Sequence, residues 1–296
     1  MEVVKTVEEV RRRVLREKCS GKKVGFVPTM GYLHEGHLSL MKQARKETDF
    51  VVVSIYVNPI QFGPTEDFRR YPRDLERDLR LCESVGVDLV FTPTDEEMYP
   101  FGYENTSTYV EVVGKLTSTM CGASRPGHFR GVTTVVSKLF NAVLPDVAYF
   151  GQKDPQQAVV IKRMVKELLY GIEIKVMPIV REPDGLAMSS RNTYLNPQER
   201  KKALGLYRSL LKAREMLEMG EKNTVRIIDE MKKVLHDHGV MIDYIVAVDP
   251  YTLEDIERIK ENKKVMFAVA GVVGSTRLID NMVFELTPEG VREVVP

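Results

Sequence analysis

His34 and His37 stand three positions apart in the segment Pro28-Thr29-Met30-Gly31-Tyr32-Leu33-His34-Glu35-Gly36-His37, just after an apolar run and at the head of a helical one. A strand-to-helix turn leaves backbone N–H groups unpaired and points the positive end of a helix dipole outward, which favours phosphate. Gly31 and Gly36 let a ligand approach the backbone closely. Two imidazoles can donate hydrogen bonds to triphosphate oxygens and stabilise the charge that builds on a leaving group during adenylyl transfer. A zinc pair fits less well, because the metalloprotease pattern His-Glu-x-x-His has one residue more. A turn carrying incidental histidines is the bland alternative. The chemistry expected here is ATP binding and adenylate formation.

Four further segments carry polar side chains at the ends of apolar runs. Asn58 and Gln61, in Tyr56-Val57-Asn58-Pro59-Ile60-Gln61-Phe62-Gly63, put two neutral amides after the most apolar strand, where they suit hydroxyls and carbonyls of a small polar substrate. An Asx turn before Pro59 accounts for Asn58 but leaves Gln61 unexplained. In Gly151-Gln152-Lys153-Asp154-Pro155-Gln156-Gln157, Asp154 and Pro155 read as a helix start, Lys153 faces a ligand at the sheet edge, and Gln157 lies about one turn into the helix. Taken alone, Lys153 is a solvated charge and Asp154 a helix cap. The hydroxyls and guanidinium of Met188-Ser189-Ser190-Arg191 suit a triphosphate clamp on a closing loop. Cys121 to Gly131 gathers Arg125, His128 and Arg130 among glycines. It either binds carboxylate or phosphate or is a structural loop with surface arginines.

These segments need elements to hold them. The patterning predicts a helix over 7–18 and a buried strand over 24–28, so the chain opens with a helix. It then predicts a helix over 38–46 and a largely β-branched strand over 50–57. Alternation continues with helices over 74–84, 132–143 and 155–169 and strands over 88–91, 147–150 and 172–177. That order implies an α/β fold with a Rossmann-like, doubly wound parallel sheet and ligands at the carboxyl ends of its strands. Composition changes at the turn Arg181-Glu182-Pro183-Asp184-Gly185. We expect domains over 1–180 and 181–296. The second is a smaller α+β unit with helices over 197–219 and 224–238 and strands over 244–248, 264–273 and 276–279.

Bulk properties exclude several classes. Forty-three basic against 42 acidic side chains leave a formal charge of +1, so no overall field draws in nucleic acid or an acidic membrane. Cys19, Cys82 and Cys121 have no paired spacing, and each reads as a reduced, buried small hydrophobe. With no apolar signal core and no run able to span a bilayer, a cytoplasmic location is expected. Asp74 and Asp78 lie in a charged helix where a metal-linked role is the alternative, but they read better as solvated carboxylates.

The His-x-Gly-His turn followed by Met188-Ser189-Ser190-Arg191 resembles the nucleotidyl-transferase superfamily. Together with Asn58, Gln61, the Arg125-to-Gly131 loop and Gly151-Gln152-Lys153-Asp154, the whole chain, in order, resembles the pantothenate synthetase family of pantoate–β-alanine ligases. That resemblance implies ATP-driven formation of pantoyl adenylate, then attack by the β-alanine amine with release of AMP. It implies that Met30, Gly31, Tyr32, Leu33, His34, Glu35, Gly36 and His37 line the ATP site, with His34 and His37 on the phosphates and His37 as acid. Lys153 joins them as catalytic. Gly151, Gln152, Asp154, Val180 and Met188, Ser189, Ser190 and Arg191 complete the nucleotide site. Gln61 and Gln157 hold pantoate, with Asn58, Pro28 and Thr29 beside them. Magnesium, a homodimer and a hinged C-terminal lid also follow from the resemblance, but the magnesium ligands are not legible. A one-step nucleotidyl transferase and a non-catalytic nucleotide or RNA module are the rivals. The near-neutral charge and the lack of a basic aromatic patch argue against RNA.

Overall fold

A computed structural model describes residues 1–296. Its larger sheet contains β1 (Glu2–Val4), β2 (Val24–Thr29), β3 (Phe50–Ile55), β4 (Leu89–Phe91), β5 (Val147–Gly151) and β6 (Glu173–Met177), in the spatial order β1-β4-β3-β2-β5-β6. Every pairing is parallel. β2 and the β-branched β3 are buried along nearly their whole length, as a sheet covered on both faces requires.

Helices supply that cover: α1 (Val7–Cys19), α2 (Glu35–Glu47), α3 (Leu75–Ser84), the single turns α4 (Asp95–Met98), α5 (Lys115–Ser118) and α6 (Cys121–Ser124), then α7 (His128–Val143) and α8 (Pro155–Glu167). One face of the sheet packs with Val10 and Val14 of α1, Phe140 of α7 and Ile161 of α8. The other packs with Leu38 and Met41 of α2 and Cys82 of α3. From β2 the chain moves to β3 on one side, while β5 lies on the other. The strand order therefore switches direction between β2 and β5, and a crevice opens at their carboxyl ends.

The smaller unit is an antiparallel meander of β7 (Met241–Val248), β8 (Lys264–Val273), β9 (Thr276–Thr287) and β10 (Gly290–Glu293). One face carries α9 (Pro197–Glu218) and α10 (Thr224–Asp237) around Leu206, Ile227, Met231 and Phe267. From the opposite face, Met266, Ala268 and Val283 enter the same apolar cluster as α8.

Three expectations need correction. The chain opens with β1, not a helix. This strand is too short to show periodicity, and its pairing with β4 makes it a strand. β9 runs through Asp280 and Asn281 to Thr287, where polar residues suggested an end at Ile279. Asp280 is buried against Arg181, and the amide of Asn281 meets Gln152, so neither breaks the strand. Cys19 is exposed, whereas Cys82 and Cys121 are buried. No helix is long and apolar enough to cross a membrane.

Candidate active site

After β2 the backbone enters the left-handed region at Gly31 (φ 78°) and Tyr32 (φ 49°). This places two successive N–H groups on one carboxylate: Asp78 of α3 accepts from the nitrogens of Tyr32 and Leu33, both at 2.7 Å. Asp78 is only 1% exposed. The solvated role expected of it is therefore wrong, because helical periodicity on α3 reveals nothing about a partner far away in sequence. Asp74 is exposed and caps α3 by accepting from the nitrogen of Arg77.

His34 is the N-cap of α2. Its Nδ1 accepts from the nitrogen of Gly36 at 3.2 Å, and Nδ1 of His37 accepts from the nitrogen of His34 at 3.3 Å. A Cβ at residue 36 would stand 2.8 Å from the His34 ring, so glycine there makes room for the imidazole as well as for a ligand. Because both Nδ1 atoms accept, a neutral ring carries its proton on Nε2. Burial, with the charge of Lys153 nearby, lowers the His34 pKa to about 4. Burial, His34 and Lys153 hold His37 well below the ordinary value. The two rings, tilted by 41° with centroids 4.1 Å apart, are thus neutral Nε2–H donors at pH 7.

Both rings face a cavity of about 230 Å³ above the switch point. Pro28, Thr29, Met30 and Gly36 line it from the β2 turn, and Gly151, Lys153, Asp154 and Gln157 from the β5 turn. Asp154 makes no capping hydrogen bond, so its carboxylate is not merely a helix start signal. Val180, Met188, Ser189, Ser190 and Arg191 close the third side. The nitrogen of Met188 donates to the Val180 carbonyl at 3.0 Å, and Ser190 Oγ donates to the Tyr32 carbonyl at 3.2 Å, which ties this loop to the histidine turn. Arg191 is held by both carboxylate oxygens of Asp67 at 2.9 Å.

Five expected site residues do not line this cavity. Leu33 is buried in the core under α2, and the Tyr32 ring lies beneath Arg77. Glu35 pairs with Lys42. Gly31 shapes the turn through its positive φ. Gln152 is buried and bonded to Asn281 of β9, so its amide joins the two sheets.

Gln61 and Asn58 both reach the cavity wall, but Asn58 is 1% exposed and its amide is spent inside the protein. Its Nδ2 donates to Gln61 Oε1 at 2.9 Å, and no Asx cap forms. The Arg125 loop does two jobs. Arg125 pairs with Glu66 through two hydrogen bonds and donates to Nε2 of His128, whose Nδ1–H donates to the Gln61 carbonyl at 2.9 Å. Arg125 and His128 also line the cavity. Gly131 is required there, since a Cβ would meet the Ile60 carbonyl oxygen at 2.5 Å. A second cavity, of about 210 Å³, continues past Lys153 and Arg191 to Thr276 and Arg277 at the start of β9. Sequence reading missed these last two, which lie in an ordinary hairpin with no motif around them. It also missed the apolar wall of Val132, Val135, Val136 and Leu139 on α7, which looked like core.

The family model described as pantoate-beta-alanine ligase matches residues 2–283. The chain belongs to that family. A pantothenate synthetase of Thermosipho africanus is 58% identical over 284 residues, covering 96% of this chain and all of the relative. The crystal structure of pantothenate synthetase from Thermus thermophilus superposes with a TM-score of 0.88 at 49% identity, covering 95% of this chain and 98% of that one. A pantoate-beta-alanine ligase from Francisella tularensis, solved with beta-gamma ATP and beta-alanine, superposes with a TM-score of 0.78 at 33% identity, covering 95% and 97%. The family's parallel sheet and smaller antiparallel unit are thus the fold found here.

Proposed function

We propose that this chain is an ATP-dependent ligase that condenses pantoate with β-alanine through a pantoyl adenylate. What carries the proposal is the convergence of His34, His37, Lys153 and Ser189 to Arg191 with the amides of Gln61 and Gln157 on one cavity. A carboxylate oxygen of pantoate attacks the α-phosphorus of ATP, and the bond to the bridging oxygen breaks to release pyrophosphate. The amine of β-alanine then attacks the acyl carbon, loses a proton and expels AMP. No nucleophilic side chain is needed, so the protein positions the reactants and stabilises charge. His34 and His37 donate Nε2–H bonds to the phosphates, Lys153 and Arg191 supply positive charge, and Gln61 and Gln157 hold pantoate.

Magnesium belongs to the same proposal. No three potential ligands converge anywhere in the chain, so the ion would arrive on the triphosphate, with Asp154 the carboxylate placed to meet it. Bound there, it would neutralise phosphate charge. We further propose that residues 181–296 act as a lid. The contacts of Gln152 with Asn281 and of Ser124 with Asp243 support a closed arrangement that keeps water from a hydrolysable adenylate. A cytoplasmic homodimer completes the reading, and light scattering at twice the chain mass would bear it out. The activity is tested by measuring AMP with ATP, pantoate and β-alanine each omitted in turn. AMP should form only with all three, and AMP release without pantoate would refute the reading.

A further inference from the structure

Tyr99 lies just after α4, is 3% exposed and does not line the cavity. Its hydroxyl nevertheless donates to Asn58 Oδ1 at 2.6 Å. The direction of each bond beyond it is forced. The carbonyl of Gly131 can only accept, and it lies 3.2 Å from Asn58 Nδ2, so the Asn58 oxygen must face Tyr99. The remaining N–H of Asn58 points at Gln61, so Gln61 presents Oε1 to it. Gln61 Nε2 is left facing the cavity wall, 3.3 Å from the weak acceptor Met30 Sδ. The backbone of Gln61 is pinned separately by His128, so only the amide rotation remains to be set.

Tyr99 is itself fixed. The ammonium of Lys138 sits 4.3 Å from its ring centroid and donates to the Met98 carbonyl at 2.6 Å. Burial raises the pKa of the phenol, which therefore remains a donor at every working pH.

We propose that Tyr99 is a positioning residue which, through Asn58, locks the Gln61 amide with its NH₂ group toward the substrate. The cavity then offers hydrogen-bond donors to an acceptor oxygen, a carboxylate or hydroxyl of the acid to be activated. An inverted amide would set its oxygen against that oxygen. This rests on the reading of Gln61 as a pantoate ligand. Removing the phenol hydroxyl leaves Asn58 Oδ1 buried without a donor, and the Gly131 carbonyl alone then opposes inversion of the Asn58 amide that orients Gln61.

The test is Tyr99→Phe, which keeps the ring beneath Lys138. Losing one oriented neutral hydrogen bond should raise KM for pantoate about tenfold, while KM for ATP stays within about twofold. In a Gln61→Ala background the same change should alter KM for pantoate by less than about twofold, because its target is gone. An unchanged KM in the single variant would overturn the proposal, and so would an equal rise in both backgrounds, which marks a merely structural role. Should Tyr99→Phe fold poorly, Asn58→Ala carries the test one link closer, with the same rise and the same non-additivity expected. A wild-type chain without pantoate-dependent AMP release would instead overturn the functional reading.

Discussion

The carboxylate of Asp78 receives the backbone nitrogen of Leu33 at 2.7 Å across 45 positions of sequence. Its second oxygen takes the nitrogen of Tyr32, so one buried side chain fixes the left-handed turn that aims His34 and His37. Burial raises the pKa of this carboxyl, while the two N–H groups favour its ionised form.

Asp78→Ala should be costly for both fold and activity. It leaves two buried donors unpaired, and hydrogen bonds to a charged group contribute about 1.5–3 kcal/mol each. We expect a loss of about 3 kcal/mol or more in urea unfolding and a rise in KM for ATP. Wild-type stability in the variant would show that the turn holds without Asp78.

His37→Ala and Lys153→Ala should leave the fold intact and lower kcat by about a hundredfold or more, since each removes a donor aimed at developing phosphate charge. Circular dichroism and steady-state kinetics check the two halves of this expectation. Near-normal turnover in both variants would contradict the assignment of the cavity.

ATP binding should take up almost no protons at pH 7. His34 and His37 are already neutral Nε2–H donors when the cavity is empty, and their bonds to phosphate need no added charge. Calorimetric binding enthalpies in buffers of different ionisation enthalpy should therefore coincide. A dependence equal to one proton or more would mean that the site works with an imidazolium.

Acid should weaken the fold in a defined window. His34 and His128 titrate near 4 in the folded chain, both chiefly because of burial, against an ordinary value of 6.5. Between these values the unfolded chain binds more protons. Stability is therefore complete above about pH 6.5 and declines as pH falls toward about 4. Tm measured across that range should fall less steeply in His34→Asn or His128→Gln than in the parent chain.

Much of this architecture is legible in the sequence. A largely β-branched run marks β3, a short apolar run marks β2, and the Asp154-Pro155 pair marks the start of α8, because these signals are local. The histidine turn after β2, Gln61 after β3 and Lys153 after β5 are legible for the same reason: each follows a strand that ends at the crevice. What escapes is set by distant partners. Asp78 gains its role from a turn 45 residues away, Asn58 is claimed by Tyr99 and Gln61, and Gln152 by Asn281 on the other sheet. No periodicity encodes such contacts. Similarly, β1 is too short to announce itself without β4, and the apolar wall of α7 cannot be told from core by composition.

The adenylate itself is the central claim, and isotope exchange tests it most directly. Labelled pyrophosphate should enter ATP when pantoate is present and β-alanine is absent, because the first step then runs forward and back without completing the second. Exchange should vanish when pantoate is withheld. Exchange without pantoate, or none with it while pantothenate still forms on adding β-alanine, would contradict a pantoyl adenylate at this site.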